Sequence, residues 1–127
     1  MKIQQQIEMQ LELLKRESKH YAVLVEGKKD KLALEYFKVK NIITITKPLY
    51  SIVEEISMKY EKCILLLDLD KAGNRLYKTL KYDLQKNGVK VDSRFRSFLF
   101  QHTGLKEIEG LRSFVYHVNN NNHKTKE

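Results

Sequence analysis

The chain has 127 residues, 42 % of them hydrophobic and 31 % charged, a length that fits one domain and a balance that excludes disorder along the whole chain. Lys and Arg number 24 against 16 Asp and Glu, a formal charge of +8, so the expected partner is a polyanion, nucleic acid first. Apolar runs such as Cys63-Ile64-Leu65-Leu66-Leu67 are far too short to span a bilayer, and no membrane partner is expected.

Residues 1–20 form the first predicted element, a helix with Ile3, Ile7, Leu11 and Leu14 on one stripe. Its Gln and Glu residues occupy the place where a secretory signal needs an apolar core. With a single cysteine, Cys63, no internal disulfide can form, and a reducing, cytoplasmic setting is expected. Tyr21–Val25 reads as a first strand with Gly27 just beyond it. Leu32, Ala33, Tyr36 and Phe37 then recur at helical spacing. The β-branched run Ile42–Thr46, closed by Pro48, predicts the second strand.

Leu49, Ile52, Val53, Ile56 and Tyr60 mark the next helix, and Cys63–Leu67 a third strand that is apolar at every position. Ala72, Leu76, Leu80 and Leu84 are spaced by four through a helix that Asn87-Gly88 should stop. A fourth strand is expected within residues 89–100, a last helix over 110–118, and a disordered polar tail over 119–127. Strands alternating with helices in this way imply an α/β fold with a mainly parallel four-stranded sheet, helices on both faces, and a site at the carboxyl ends of the strands.

Three carboxylates fall at those ends: Glu26 after the first strand, Asp68 and Asp70 after the third. On a strand, two aspartates two residues apart would share one face, their Cα atoms roughly 6 to 7 Å apart. Three anions gathered without a cation repel one another, and a divalent ion removes that conflict. An all-oxygen set without His or Cys favours Mg²⁺, with Mn²⁺ as the alternative, and leaves positions for water and substrate phosphate. Gly27 and Gly73 would let the backbone approach that phosphate closely, and the helix starting near Lys71 would aim its N-terminus at the anion.

The two acidic segments resemble motifs of the Toprim family, the catalytic domain shared by topoisomerases, bacterial primases, overcoming-lysogenization-defect nucleases and small ribosomal RNA maturation ribonucleases. VLVEGKKD (Val23–Asp30) looks like the family's apolar strand with Glu-Gly-x-x-Asp, and LLLDLDKAG (Leu65–Gly73) like its Asp-x-Asp-x-x-Gly. The resemblance spans residues 21–100 and is closest to the small stand-alone Toprim proteins of archaea and some bacteria. It implies a single Rossmann-like Toprim domain, here 21–118 after the N-terminal helix. It further implies Glu26 as general acid or base and metal ligand, and Asp68 and Asp70 as catalytic ligands of Mg²⁺. Asp30 matches the second acidic position of the first motif, where a capping or dipole role suits it. Glu107 and Glu109 match a late acidic ligand only loosely and read as surface glutamates. No zinc module, helicase-contacting domain or tyrosine domain accompanies the motifs, so strand passage is not expected and no tyrosine is nominated as nucleophile.

Lys71, Arg75 and Lys78 share one face of the helix that begins beside the Asp pair, and Lys28 and Lys29 follow Glu26-Gly27 directly. These five are the candidates for gripping a nucleic-acid backbone, Arg75 foremost because a guanidinium can hold a phosphate in two places. Arg94 and Arg96, read as one strand face, are weaker candidates. His20, His102, His117 and His123 lack metal-ligand spacing. A haloacid dehalogenase-like phosphatase would place its Asp-x-Asp on the first strand, a receiver domain would place an acidic pair there, and Gly27-Lys28 lacks the spacing of a phosphate-binding GTPase loop. The expected function is Mg²⁺-dependent phosphoryl transfer, as a small nuclease on RNA or DNA phosphodiesters. One alternative is a non-catalytic, metal-dependent nucleic-acid-binding module, an accessory to protein partners in a repair, recombination or RNA-processing assembly; another is a primer-making or nucleotidyl-transfer enzyme, which uses the same metal chemistry as hydrolysis.

Overall fold

The computed structural model describes residues 1–125, with side chains described as far as residue 120. Four strands, β1 (Ala22–Val25), β2 (Ile42–Thr44), β3 (Lys62–Leu65) and β4 (Lys90–Asp92), form one sheet in the order β2-β1-β3-β4. All three pairings are parallel, with Leu24 opposite both Ile43 and Leu65 and Cys63 opposite Val91. Among the described residues, six α-helices flank the sheet: α1 (Ile3–Glu17), α2 (Lys28–Tyr36), α3 (Leu49–Lys59), α4 (Lys71–Lys86), α5 (Arg94–His102) and α6 (Leu111–Thr125). No helix among the described residues is long and apolar enough to cross a membrane.

Alternation along the strands divides the core in two. Val23, Val25, Ile64 and Leu66 point to a layer built from Ile7, Leu11 and Leu14 of α1, Leu34 of α2, Phe95, Phe98 and Leu99 of α5, and Leu111 of α6. Ala22, Leu24, Cys63, Leu65 and Leu67 point to the other layer, with Ile52, Val53 and Ile56 of α3 and Leu80 and Leu84 of α4. Each fully buried aliphatic side chain contributes about 1.5–3 kcal/mol. Burial pushes the Cys63 thiol up to about 12, so it serves as a small apolar side chain. The chain leaves β1 towards β2 and later crosses to β3 and β4, so α2 and α4 lie on opposite faces. Between β1 and β3 the winding reverses, which opens a crevice at their carboxyl ends.

Several helix boundaries follow from local chemistry. Helix α4 ends where Gly88 takes φ +81° and Val89 N–H donates to the Leu84 carbonyl at 2.9 Å, as the Asn87-Gly88 signal predicts. Its buried face is Gly73, Leu80 and Leu84 with partly buried Leu76 and Tyr77, while Ala72 is exposed. Leu32 and Tyr36 of α2 are likewise exposed, and the helix buries Asp30, Ala33 and Leu34 instead.

Two stretches differ from expectation. The fourth strand is only three residues long, and Arg94 and Arg96 stand on helix α5 rather than on a strand face. Asp92 causes the switch: its carboxylate accepts from the Arg94 N–H at 3.0 Å, satisfying an orphan donor of the new helix. Helix α6 runs on to Thr125 through most of the stretch assigned to a disordered tail; the asparagines extend a helix already nucleated by packed residues, where each further residue adds a bond. Residues 126–127 of that assignment lie outside the described residues.

The same Asp92 ties four elements together. Arg94 donates to it from Nε at 3.1 Å and from its terminal nitrogen at 2.6 Å, and also reaches Glu17 of α1 at 2.6 Å. Lys62 of β3 stands 3.6 Å from Asp92 and 3.4 Å from Glu17. Burial alone would raise Asp92, but the Arg94 hydrogen bonds and the Arg94 and Lys62 charges outweigh it and hold the carboxyl at about 2. A depressed carboxyl stabilises the fold above its ordinary range and loses that contribution as pH falls towards 2. Asp92→Asn is expected to cost about 2 kcal/mol at pH 7. In urea melts the gap to wild type should narrow to about half by pH 3; a gap independent of pH would contradict the assignment.

Candidate metal centre

Glu26 follows β1 directly and points into the crevice, where its Oε1 accepts the Asp68 N–H at 3.3 Å. That bond joins the first acidic segment to the second. The ladder of β3 ends at Leu65, with Leu66 N–H still donating to the Leu24 carbonyl at 2.9 Å. Asp68 and Asp70 therefore lie on the loop beyond the strand, not on a shared strand face. Asp68 Oδ1 accepts the Ile108 N–H at 2.9 Å, and Asp70, the N-cap of α4, accepts the Gly73 N–H at 2.7 Å. Each of the three carboxylates thus spends one oxygen on a main-chain donor. Among the described residues none of the three enters an ion pair.

Further acids surround them. Asp30, 7 % exposed, reaches back to the Gly27 N–H at 3.1 Å in the capping role its position suggests. Glu107 and Glu109 are exposed, as surface glutamates are, yet Glu107 precedes and Glu109 belongs to the 3₁₀ turn Ile108–Gly110 whose backbone holds Asp68. The Leu69 N–H donates to the Lys106 carbonyl at 2.7 Å, closing the same turn over the loop. Burial raises Glu26 above the usual carboxylate range, with the charges of Asp68, Asp70 and Asp30 adding to it. Burial also raises Asp68, and Asp70 and Glu109 push the same way. Asp30 is raised by burial and by the Asp68 charge. Glu107 is raised by a hydrogen bond to Glu109 and by the charge it carries. Electrostatically, these groups form one cluster short of positive charge.

Among the described residues, no group of three or more His, Cys, Asp or Glu side chains is placed to hold a metal ion together. A hard ion such as Mg²⁺ does not require one: it keeps several waters and is held by one or two carboxylates together with phosphate oxygens. The donor chemistry of Glu26, Asp68 and Asp70 fits that ion. His102 packs against Phe98 at 5.3 Å between ring centroids, and the His123 side chain lies outside the described residues.

Of the two glycines, Gly73 is the one that an internal contact requires. A Cβ on Gly73 would fall on the Asp68 carbonyl oxygen and lie 2.7 Å from its carbonyl carbon. Gly73 therefore lets α4 close onto the Asp68 backbone, a contact within the protein rather than with phosphate. At Gly27 a Cβ would meet nothing within 4 Å, so no internal contact demands glycine there. Gly73→Ala is expected to cost about 1–3 kcal/mol by overpacking and to displace Asp68, whereas Gly27→Ala should cost under about 1 kcal/mol. Thermal melts of the two variants check the contrast; equal melting points would contradict it.

Lys28 and Lys29 sit exposed in the first turn of α2, and Lys71, Arg75 and Lys78 are exposed along α4. The N-termini of both helices border the crevice, so Lys28, Lys29 and Lys71 stand at its rim, with Arg75 and Lys78 farther along. None of the five enters an ion pair among the described residues.

Arg96 is the residue whose place sequence reasoning missed. Only 9 % exposed, it donates to the Leu67 carbonyl at 3.0 Å, the Asp68 carbonyl at 2.8 Å and Asn74 Oδ1 at 2.7 Å, with its guanidinium 4.3 Å from the centre of the Tyr77 ring. Burial lowers it from the usual arginine value, opposed by Tyr77 and by the charges of Glu26, Asp68 and Asp70. From behind the loop, it fixes the main chain that carries Asp68.

Residues 23–101 match the model of a family described as Toprim-like. A UPF0292 protein of Methanocaldococcus jannaschii is 36 % identical over 110 residues, which cover 83 % of this chain and 86 % of that protein. A UPF0292 protein of Pyrococcus horikoshii is 32 % identical over 100 residues, covering 76 % of each chain. A solved structure of a protein from Aquifex aeolicus superposes with a TM-score of 0.76 at 39 % identity, covering 80 % of this chain and 94 % of that one. With the two acidic segments meeting where β1 and β3 part, and with most of the chain matched, the protein belongs to the Toprim-like family.

Proposed function

We propose that this protein is a Mg²⁺-dependent phosphoryl-transfer enzyme, a small nuclease acting on RNA or DNA phosphodiesters. The observation that carries the reading is the Glu26 Oε1 to Asp68 N–H contact of 3.3 Å, which brings the two acidic segments to one crevice, among carboxylates that no lysine or arginine of the described residues neutralises by an ion pair. Asp68 and Asp70 would hold the ion, with Glu26 as a further ligand. Bound there, Mg²⁺, or Mn²⁺ in its place, would polarise the scissile phosphate and offset the charge developing on the leaving oxygen. Glu26, raised above the usual carboxylate range, is suited to moving a proton to or from the reacting oxygens. Lys28, Lys29 and Lys71 at the rim, with Arg75 and Lys78 along α4, would hold the backbone on either side.

The test is turnover of labelled single-stranded, duplex and structured RNA and DNA with Mg²⁺, Mn²⁺ or EDTA. Product is expected with a divalent ion and not with EDTA, and none from the doubly substituted Asp68→Asn, Asp70→Asn protein. Full cleavage by that variant would refute the site. Salt-sensitive binding without product on any substrate would favour a metal-dependent binding module instead.

A further inference from the structure

A second surface opens beside the carboxylates. Between the C-terminal end of α2 and α6 runs a groove of ≈ 810 Å³ lined by Tyr36, Glu109, Arg112, Val115 and Tyr116 among others. Two large rings stand in water there, Tyr36 at 53 % and Tyr116 at 63 % exposure. Both rings are braced by neighbours: Tyr36 edge-on to Phe37 at 5.1 Å, and Tyr116 edge-on to His117 at 5.6 Å. The Arg112 guanidinium sits 3.9 Å from the centre of the Tyr36 ring. Arg112 is itself exposed and joins no ion pair among the described residues. Glu109 places the groove relative to the crevice, because it lines the groove and belongs to the turn whose Ile108 N–H holds Asp68.

The chemistry of this surface selects its ligand. A docking helix would need a broad aliphatic seat, and Val115 is the one aliphatic side chain in the lining. Flat rings and a guanidinium stacked on one of them, in no ion pair among the described residues, suit a planar π-system attached to an anion, the pairing that an unpaired nucleotide presents. We propose that the groove between α2 and α6 is a nucleobase-stacking subsite, in which Tyr36, Arg112 and Tyr116 hold an unpaired base of a single strand whose backbone passes into the crevice at Glu26 and Asp68. The proposal rests on nucleic acid being the substrate. It does not require the chemical step.

The test is anisotropy of labelled single-stranded oligonucleotides in EDTA, which blocks turnover, against an abasic strand of equal length. Wild type should bind the base-containing strand at least about fivefold more tightly. Tyr36→Ala and Tyr116→Ala should each weaken that strand by roughly 5- to 100-fold while leaving the abasic strand unchanged, and Tyr36→Phe should bind as wild type does. Both tyrosines are exposed, so a melt is expected to show the fold intact. Equal affinity for base-containing and abasic strands would overturn the proposal. So would a Tyr36→Ala protein that binds normally but sediments as a smaller species than wild type, since the groove would then be covered by a second copy. Base-dependent binding alongside no cleavage under any ion would sink the phosphoryl-transfer reading and uphold this one.

Discussion

Asp68→Asn is expected to raise the melting temperature of the metal-free protein at pH 7 and to lower metal-dependent cleavage by roughly a thousandfold, a loss of several kcal/mol of transition-state stabilisation. The two effects share a cause. Asp68 and Glu26 are both raised above the ordinary carboxylate range, burial first and neighbouring acids next. A carboxyl raised on folding binds its proton more readily in the native state, so the ionised pair opposes folding at pH 7 and the burden eases as pH falls through the raised values. An asparagine at 68 can still accept the Ile108 N–H through its amide oxygen while removing one charge. If Asp68 holds the ion as proposed, the order should reverse with Mg²⁺, because an ion that binds only the folded wild type adds about 2.7 kcal/mol at a hundred times its Kd. Melts in EDTA and in Mg²⁺, with cleavage rates on the same samples, check both halves. A variant that melts below wild type in EDTA, or that keeps the full Mg²⁺ response, would contradict the account.

What could be read from residue order, and what could not, follows the range of the interactions. The sheet was legible because its signals are local: Val23 to Val25 and Cys63 to Leu67 are apolar runs bounded by breakers, and the helical stripes between them leave little choice but parallel crossovers. The nearness of Glu26 to Asp68 could be anticipated because each follows such a run, with Asp70 two residues further on at the N-cap of α4. The stretch from Arg94 to His102 was misread although Phe95, Phe98 and Leu99 recur at helical spacing, because Val89 and Val91 carry β-propensity into it and the Asp92 cap is hard to see in one dimension. The internal contact of Gly73 is with the Asp68 carbonyl five residues back, which takes shape only once α4 is folded onto the loop. Arg96 and the 106–110 turn were beyond reach for a stronger reason. Their bonds to Leu67, Asp68 and Asn74 span 22 to 40 residues, and no spacing rule connects partners at that separation.

Arg96→Ala is expected to destabilise the protein by about 3–5 kcal/mol, a large part of the roughly 5–15 kcal/mol that holds a domain together. The guanidinium serves two main-chain carbonyls and Asn74 from a position 9 % exposed. Truncation leaves the Leu67 and Asp68 carbonyls without that donor and removes a positive charge that acts on Glu26, Asp68 and Asp70. Arg96→Lys separates these roles. It keeps the charge facing Glu26, Asp68 and Asp70 but presents a single ammonium on a flexible stem, which cannot reproduce a planar fork aimed at three acceptors. The folded Lys variant should therefore lose only part of the stability, about 1–2 kcal/mol, while its Mg²⁺ affinity falls about 10- to 100-fold, as when the support of a ligand is removed. Because the charge is retained, that fall would report where the loop puts Asp68 rather than a change in field. Calorimetric Mg²⁺ titration of wild type and Arg96→Lys, at a temperature where both are folded, provides the measurement. Equal affinities would mean that Arg96 holds the fold without holding the carboxylates in place.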